Sequence, residues 1–348
     1  MSSPRTVPSL SEMSPDISDV PIIGITMGDA AGIGPEIIIK AIAERELRTL
    51  SRIVVIGDAQ CLRKTASHLK IDLRFRGYEQ SAKFDPDFVE VHDLANLHPD
   101  IPVGVDAANT GRASAEYIEE AVRLWRDDQI DAVCTAPISK KALSLGGYDF
   151  PGHTEFLADL TGTKQFAMSF FAEKLRVVLL STHLPLVDAI DLVRKDALTN
   201  LIMFSDREMS RLLGRKISIA VAGLNPHASE SGMFGSEEQS EIEPAIAQSR
   251  AMGVNVSGPY SPDTVFIRGH QGEFDVCIAL YHDQATIPVK AISFGLGVNV
   301  TLGLPLVRTS VDHGTAFDIA GKGIADEGSL KAALKLAGEL AKSSRRNM

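Results

Sequence analysis

The sequence predicts an α/β protein with a largely parallel sheet. Two observations carry this. Short apolar runs alternate with longer amphipathic stretches along the chain, and most of the runs are apolar throughout instead of every second residue. A strand apolar on both faces needs helices covering both, which is the habit of parallel sheets. The runs fall at residues 22–26, 53–56, 132–135, 177–180, 217–222, 276–281 and 298–301. Helical periodicity marks residues 114–125 and 330–341. In the second stretch Leu330, Ala333, Leu334, Ala337, Leu340 and Ala341 share one face, and Gly328-Ser329 supplies a stop and an N-cap before it. Residues 1–20, rich in Ser, Pro and Asp, read as a mobile tail. No Pro/Gly-rich linker interrupts the rest, so two lobes sharing one continuous or interrupted sheet are expected across the 348 residues.

Composition narrows the function. The net charge of −10 argues against a nucleic-acid partner, which needs a basic face. No apolar run approaches the roughly 20 residues that span a bilayer, and the N-terminal stretch lacks the pattern of a secretion signal. Cys61, Cys134 and Cys277 are odd in number and far apart, as reduced thiols of a cytoplasmic protein would be.

The histidines carry the chemistry. RVVLLSTHLPL, ISIAVAGLNPH and DVCIALYHDQ place His183, His227 and His282 just past three apolar strands. In open parallel sheets ligands sit beyond the carboxyl ends of strands, so three imidazoles arriving there are placed to converge. Any one of them alone is more often a cap or a surface group. Three at equivalent places favour a catalytic divalent-metal site with an open fourth position, with Asp283 beside His282 as a supporting carboxylate. His153, in PGHTEF, precedes a helix for which Thr154 reads as the N-cap. His68, His92, His98 and His270 read as surface groups, and His313 is ambiguous. Lys290, Asn299 and Arg308 lie after strand ends, where cationic and polar groups suit a phosphate or carboxylate.

Two glycine-rich loops match neither nucleotide fingerprint. GITMGDAAGIGPEIII runs strand, loop, helix, with Pro35 and Glu36 suited to a first helical turn, but Ile37 stands where GxGxxG requires glycine. HGTAFDIAGKGIAD, residues 313–326, fails both templates as well.

In order along the chain, GDAAGIGPEI, PGHTEFLA, STHLPL, GLNPHASESG, PDTVF, YHDQATIPVK and GVNVTLGLPLVRTSVDHGTAFDIAGKGIAD resemble the 4-hydroxythreonine-4-phosphate dehydrogenase family, which makes a precursor of pyridoxal phosphate. GIGPE and GTAFDIAGKGIAD are also similar to segments of the wider isocitrate and isopropylmalate dehydrogenase superfamily. The resemblance implies that superfamily's two-lobed α/β/α fold. Residues 21–148 plus 303–348 would form a cofactor-side lobe, and residues 149–302 a metal, substrate and dimerisation lobe. It implies NAD bound without GxGxxG, against Gly314, Thr315, Asp318 and Gly321. It implies one divalent cation, usually zinc with magnesium or cobalt accepted, on His183, His227 and His282, one of them from the partner chain of a homodimer. His153, Thr154, Lys290, Asn299 and Arg308 match the family's substrate positions.

The implied reaction oxidises a secondary alcohol of a phosphorylated hydroxy acid to a 3-keto acid that can lose CO₂. His153, Lys290 and Asp283 all stand open as the proton acceptor. Ala30, Ser229, Ser231 and the pair Ala285-Thr286 depart from the family's usual residues. They bear on the choice among 4-phosphohydroxy-L-threonine, the D-erythronate and D-threonate 4-phosphates of the paralogues, and a cis-dihydrodiol. A metal-dependent hydrolase and a binding-only protein are the competing classes.

Overall fold

The computed structural model describes residues 20–98, 100–293 and 295–345. The expected mobile tail lies outside them, save Val20. Among the described residues twelve strands are present: β1 (Ile22–Thr26), β2 (Arg52–Gly57), β3 (Arg74–Gly77), β4 (Phe88–Asp93), β5 (Ala132–Thr135), β6 (Ala167–Ala172), β7 (Leu175–Leu179), β8 (Ile219–Ala222), β9 (Val256–Tyr260), β10 (Val276–Ala279), β11 (Val298–Leu302) and β12 (Val307–Ser310). They form one sheet in the order β3-β4-β2-β1-β5-β12-β11-β6-β7-β10-β8-β9.

The order divides the sheet by chain segment. One half, β3 to β12, comes from residues 22–135 and 307–310; the other, β11 to β9, comes from residues 167–302. Each half is parallel at its outer end. At the seam β11 runs antiparallel to β12 and to β6, and β6 antiparallel to β7. The fully apolar runs are buried along their whole length in β2, β5, β8 and β10, because helices cover both faces.

Five strands carry no simple apolar run. β3 is a short exposed edge strand. β4 holds the buried Glu90, paired with Arg52 at 2.6 Å and Arg76 at 2.7 Å. β12 contains Arg308, β6 breaks its pattern at Ser169, and β9 contains Pro259. In each, a polar, charged or imino residue sits where pattern reading asks for an aliphatic one.

Helix boundaries also move. The helix read at 114–125 spans Ala108–Arg126. The last helix, Gly328–Arg345, already includes Ser329, so Ser329 is not its N-cap. Asp326 Oδ1 instead accepts from Gly328 N at 2.6 Å, while Ser329 Oγ accepts from Asp312 N. Strand 276–281 ends at Ala279 because a helix, His282–Ser293, opens three residues later.

Candidate active site

A polar site lies at the seam, over a face of the sheet and the carboxyl ends of β5, β12 and β7, whose following residues Ala136, Val311 and Leu180 also line it. In the ladder Ser310 pairs with both Thr135 and Asn299, and Thr301 pairs with Met168. Side chains two apart share a face, so Arg308 and Thr301 join them. Met168, Thr135, Asn299, Arg308 and Ser310 line a cavity of about 530 Å³, with His153, Thr154, His183 and His313 also in its wall.

Asn299 and Arg308 therefore sit inside strands, not after them, which corrects the expectation from sequence. Thr154 is not a cap either: the helix His153–Thr161 is preceded by Gly152 with no side-chain cap, and Thr154 Oγ1 lies 3.5 Å from Thr301 Oγ1. The sequence reading passed over Thr135, Thr301 and Ser310. Their signal was available, since a hydroxyl in an otherwise apolar buried strand must find a polar partner.

Arg308 is 3% exposed. It donates to Thr301 Oγ1 at 3.0 Å and Thr135 Oγ1 at 2.9 Å, both neutral oxygens. Burial pulls its guanidinium down to about 10, partly countered by Cys134 and Glu155. Its Nε, together with His153 Nε2 and Asn299 Oδ1, is shut off from solvent without a hydrogen-bond partner among the described residues. His153 as a residue is only partly buried, but burial of its ring and then the charge of Arg308 hold it well below the ordinary histidine range. The pocket thus presents an unpaired cation, a neutral imidazole and an amide oxygen. A buried cation without an anion is costly, so the site is built to receive a negatively charged ligand.

The three strand-end histidines behave differently. β7, β10 and β8 are mutually parallel, so their carboxyl ends do share one edge. Only two rings meet there. His183 and His282 have centroids 5.8 Å apart, and both border a cleft of about 270 Å³ with Leu186, Tyr281 and Asp283. His282 Nδ1 donates to Asp283 Oδ1 at 2.6 Å, which leaves Nε2 as the ring nitrogen able to coordinate. His227 instead sits at φ +54° in a left-handed turn, its ring 6.4 Å from Phe234. Ser229 (φ +64°) and Ser231 (φ +59°), two of the departures from the family's usual residues, occupy left-handed positions that glycine takes without strain. No group of three metal-ligating side chains forms among the described residues. The donor set fits two of the three positions of a three-histidine site: two imidazoles, one already oriented by a carboxylate, with an open cleft beside them.

Lys290 lies in the last turn of the His282–Ser293 helix, not after a strand, with Nζ 3.8 Å from Asp312 Oδ2. It lines neither cavity described above. Burial raises the Asp312 carboxyl, with Lys290 opposing.

The two glycine loops touch. Ile33 N donates to Thr315 O at 3.0 Å, and a Cβ on Gly32 would meet that oxygen at 2.8 Å, so glycine is required there. Pro35 and Glu36 fall in the first turn of the Gly34–Ala43 helix as expected. The buried Glu36 reaches further, accepting from Ala325 N at 2.7 Å and Gly323 N at 3.2 Å while Lys40 Nζ binds the carbonyls of the same two residues. Gly314 faces open space and borders the seam cavity. Gly321 borders a second cavity of about 370 Å³, with Gly32, Lys64 and His68. Thr315 is pinned under Gly32, and Asp318 is exposed. This gives a glycine cradle beside the anion pocket, the kind of close approach a dinucleotide requires.

Of the remaining histidines, His68 donates to Gly321 O, His92 pairs with Glu120, and His98 is exposed. His270 is less superficial than the sequence suggested, with a buried, unpartnered Nδ1.

Fold and site together define an α/β enzyme with a buried anion-accepting pocket at the seam between the halves of its sheet. The model of the pyridoxal phosphate biosynthetic protein PdxA family matches residues 49–337, and the chain belongs to that family. It is 47% identical over 325 residues to a D-threonate 4-phosphate dehydrogenase of Cupriavidus necator, covering 92% of this chain and 98% of that one. To a 4-hydroxythreonine-4-phosphate dehydrogenase of Desulforapulum autotrophicum it is 42% identical over 321 residues, covering 91% and 94%. The crystal structure of the Klebsiella pneumoniae 4-hydroxythreonine-4-phosphate dehydrogenase superposes with a TM-score of 0.87 at 42% identity, covering 93% and 98%. The protein is an oxidoreductase of the dehydrogenase type. No described helix is long and apolar enough to cross a membrane.

Proposed function

We propose that the protein oxidises the secondary alcohol of a phosphorylated four-carbon hydroxy acid, 4-phosphohydroxy-L-threonine, passing hydride to NAD⁺ and releasing one proton. The product is the 3-keto acid 2-amino-3-oxo-4-phosphooxybutanoate, which can lose CO₂. The observation that carries this reading is the trio of orphaned polar atoms, His153 Nε2, Asn299 Oδ1 and Arg308 Nε, around one cavity. Arg308 pairs with an anionic end of the substrate, and Asn299 Oδ1 accepts from a substrate donor. His153, held neutral, is placed to accept the hydroxyl proton; Asp283 instead orients His282, and Lys290 acts at the rim with Asp312.

When bound, the nicotinamide supplies the hydride acceptor and the divalent cation, zinc in this reading, supplies Lewis acidity at the hydroxyl. His183 and His282 of one chain would hold the cation, with His227 contributed by the second chain of a homodimer. A partner is supported by the exposed apolar residues beside these histidines: Leu184, Leu186 and Val187 after His183, Met233 and Phe234 after His227, and Ile287 after His282. The glycine loop at 313–326 would carry the dinucleotide.

A second reading, D-threonate 4-phosphate as substrate, is favoured by the higher identity to the Cupriavidus necator enzyme. The two substrates differ at C2, ammonium in one and hydroxyl in the other. NADH formation measured on both, and on D-erythronate 4-phosphate, separates the readings. The highest kcat/KM is expected with 4-phosphohydroxy-L-threonine. Phosphate release without NADH would replace the dehydrogenase with a hydrolase.

A further inference from the structure

The loops that carry His183, His282 and His227 leave β7, β10 and β8 as separate excursions, and buried side chains tie their roots together. Ser181, two residues before His183, donates Oγ to Leu280 O at 2.9 Å, joining the exit of β7 to that of β10. Leu280 N donates to Gln284 Oε1 at 2.7 Å, and Gln284 Nε2 donates to Gly223 O at 2.8 Å, joining the exit of β10 to that of β8. Gln284 is 7% exposed and Ser181 4%. Beyond Gly223 the fully buried Glu238 accepts from Leu224 N at 2.8 Å and Asn225 N at 2.7 Å, fixing the segment that leads to His227.

We propose that Gln284 is a positioning residue for the metal site: its amide staples the β10 exit to the β8 exit and so fixes, within each chain, both the helix start that brings His282 to its own site and the root of the turn that offers His227 to the other chain's site. A primary amide suits the task because it accepts at one end and donates at the other; a carboxylate only accepts, and an apolar side chain does neither. Gln284 touches neither ring, so its effect passes through the backbone at Leu280 and Gly223. Ligand loops must be held within about half an ångström for a site to work. Loss of such supporting contacts typically weakens metal binding about 10–100-fold.

This inference rests on the metal reading above. The test compares full-length wild type with Gln284→Met, which breaks both bonds, and Gln284→Glu, which keeps the bond from Leu280 N but sets an oxygen against Gly223 O. Zn²⁺ affinity by chelator competition and the visible absorption of Co²⁺-loaded protein read the site. Hydrogen–deuterium exchange of metal-free protein reads the loops, and NADH binding serves as the control. Both variants are expected to lose about tenfold or more in Zn²⁺ affinity, to shift the Co²⁺ band, and to exchange faster only across residues 223–231 and 280–286, with NADH affinity unchanged. Should a Gln284 variant fail to fold, Ser181→Ala, which cuts only the β7–β10 tie, is expected to weaken Zn²⁺ binding in the same direction by less. Faster exchange with unchanged Zn²⁺ affinity and Co²⁺ spectrum overturns the inference while leaving the metal reading standing. Wild type that takes up no divalent cation sinks the metal reading itself, and this inference with it.

Discussion

The seam pocket and the histidine rim lie side by side, share His183, and are built on opposite principles. The described pocket groups come from one chain. Thr135, Asn299, Thr301 and Arg308 project from paired strands, their positions fixed by the ladder, with His153 added from a helix start, and the cost of burying Arg308 is borne by the rigidity of the surrounding sheet. The rim is open: its histidines stand on loops or a helix end, two rings meet while the third points elsewhere, and exposed apolar side chains surround them. Groups on strands are set by register, whereas groups on loops depend on ties such as Gln284 and, in our proposal, on a second chain.

The largest expected effect is at the pocket. Arg308→Met should lower kcat/KM for a phosphorylated substrate by about 3 kcal/mol, roughly a hundredfold or more, through loss of the charge pair. Its melting temperature should hold or rise, because an apolar side chain of similar shape relieves a buried, unpaired charge. Lower stability with activity retained would reverse the assignment of Arg308 from binding to structure.

Mixed dimers sharpen the contrast at the rim. His183→Ala and His227→Ala should each be inactive alone. Co-refolded, they should recover about a quarter of wild-type turnover, since half of the dimers then contain one intact site. No recovery would place His183 and His227 in the same chain's site and overturn the donation of His227 across the dimer.

The smallest effect is a pH slope. The His153 imidazole is held below its ordinary range by burial and then by Arg308. Below about pH 6.5 the unfolded chain takes up a proton that the native ring refuses, so this contribution is complete above that pH and fades as pH falls. A single group accounts for at most about 1.4 kcal/mol per pH unit. Urea melts at pH 7 and pH 5.5 should show a smaller drop for His153→Phe than for wild type; equal drops would mean the ring protonates freely.

Much of this was legible in the chain. Fully apolar runs marked the covered strands because burial on both faces leaves no polar alternation, and the ordered motifs gave the family. The family resemblance singled out His153, Asn299 and Arg308, which the structure brings to one cavity. Position along the chain put Arg308 after a strand instead of inside one, because a strand holding Arg308 does not look like a strand until Thr135 and Thr301 are seen across the ladder.

Local sequence therefore determined the strands that are covered on both faces and the chemical type of each side chain, since hydrophobic period and side-chain chemistry are written residue by residue. Only the tertiary structure decided that the two sheet halves join through antiparallel β11 and β6, so that residues 135, 153, 299 and 308 face one cavity. It also decided that His227 stands apart from His183 and His282. Those outcomes depend on strand order and register, and the pairings of β11 with β6 and of β12 with β5 join segments more than a hundred residues apart, leaving no mark on either one alone.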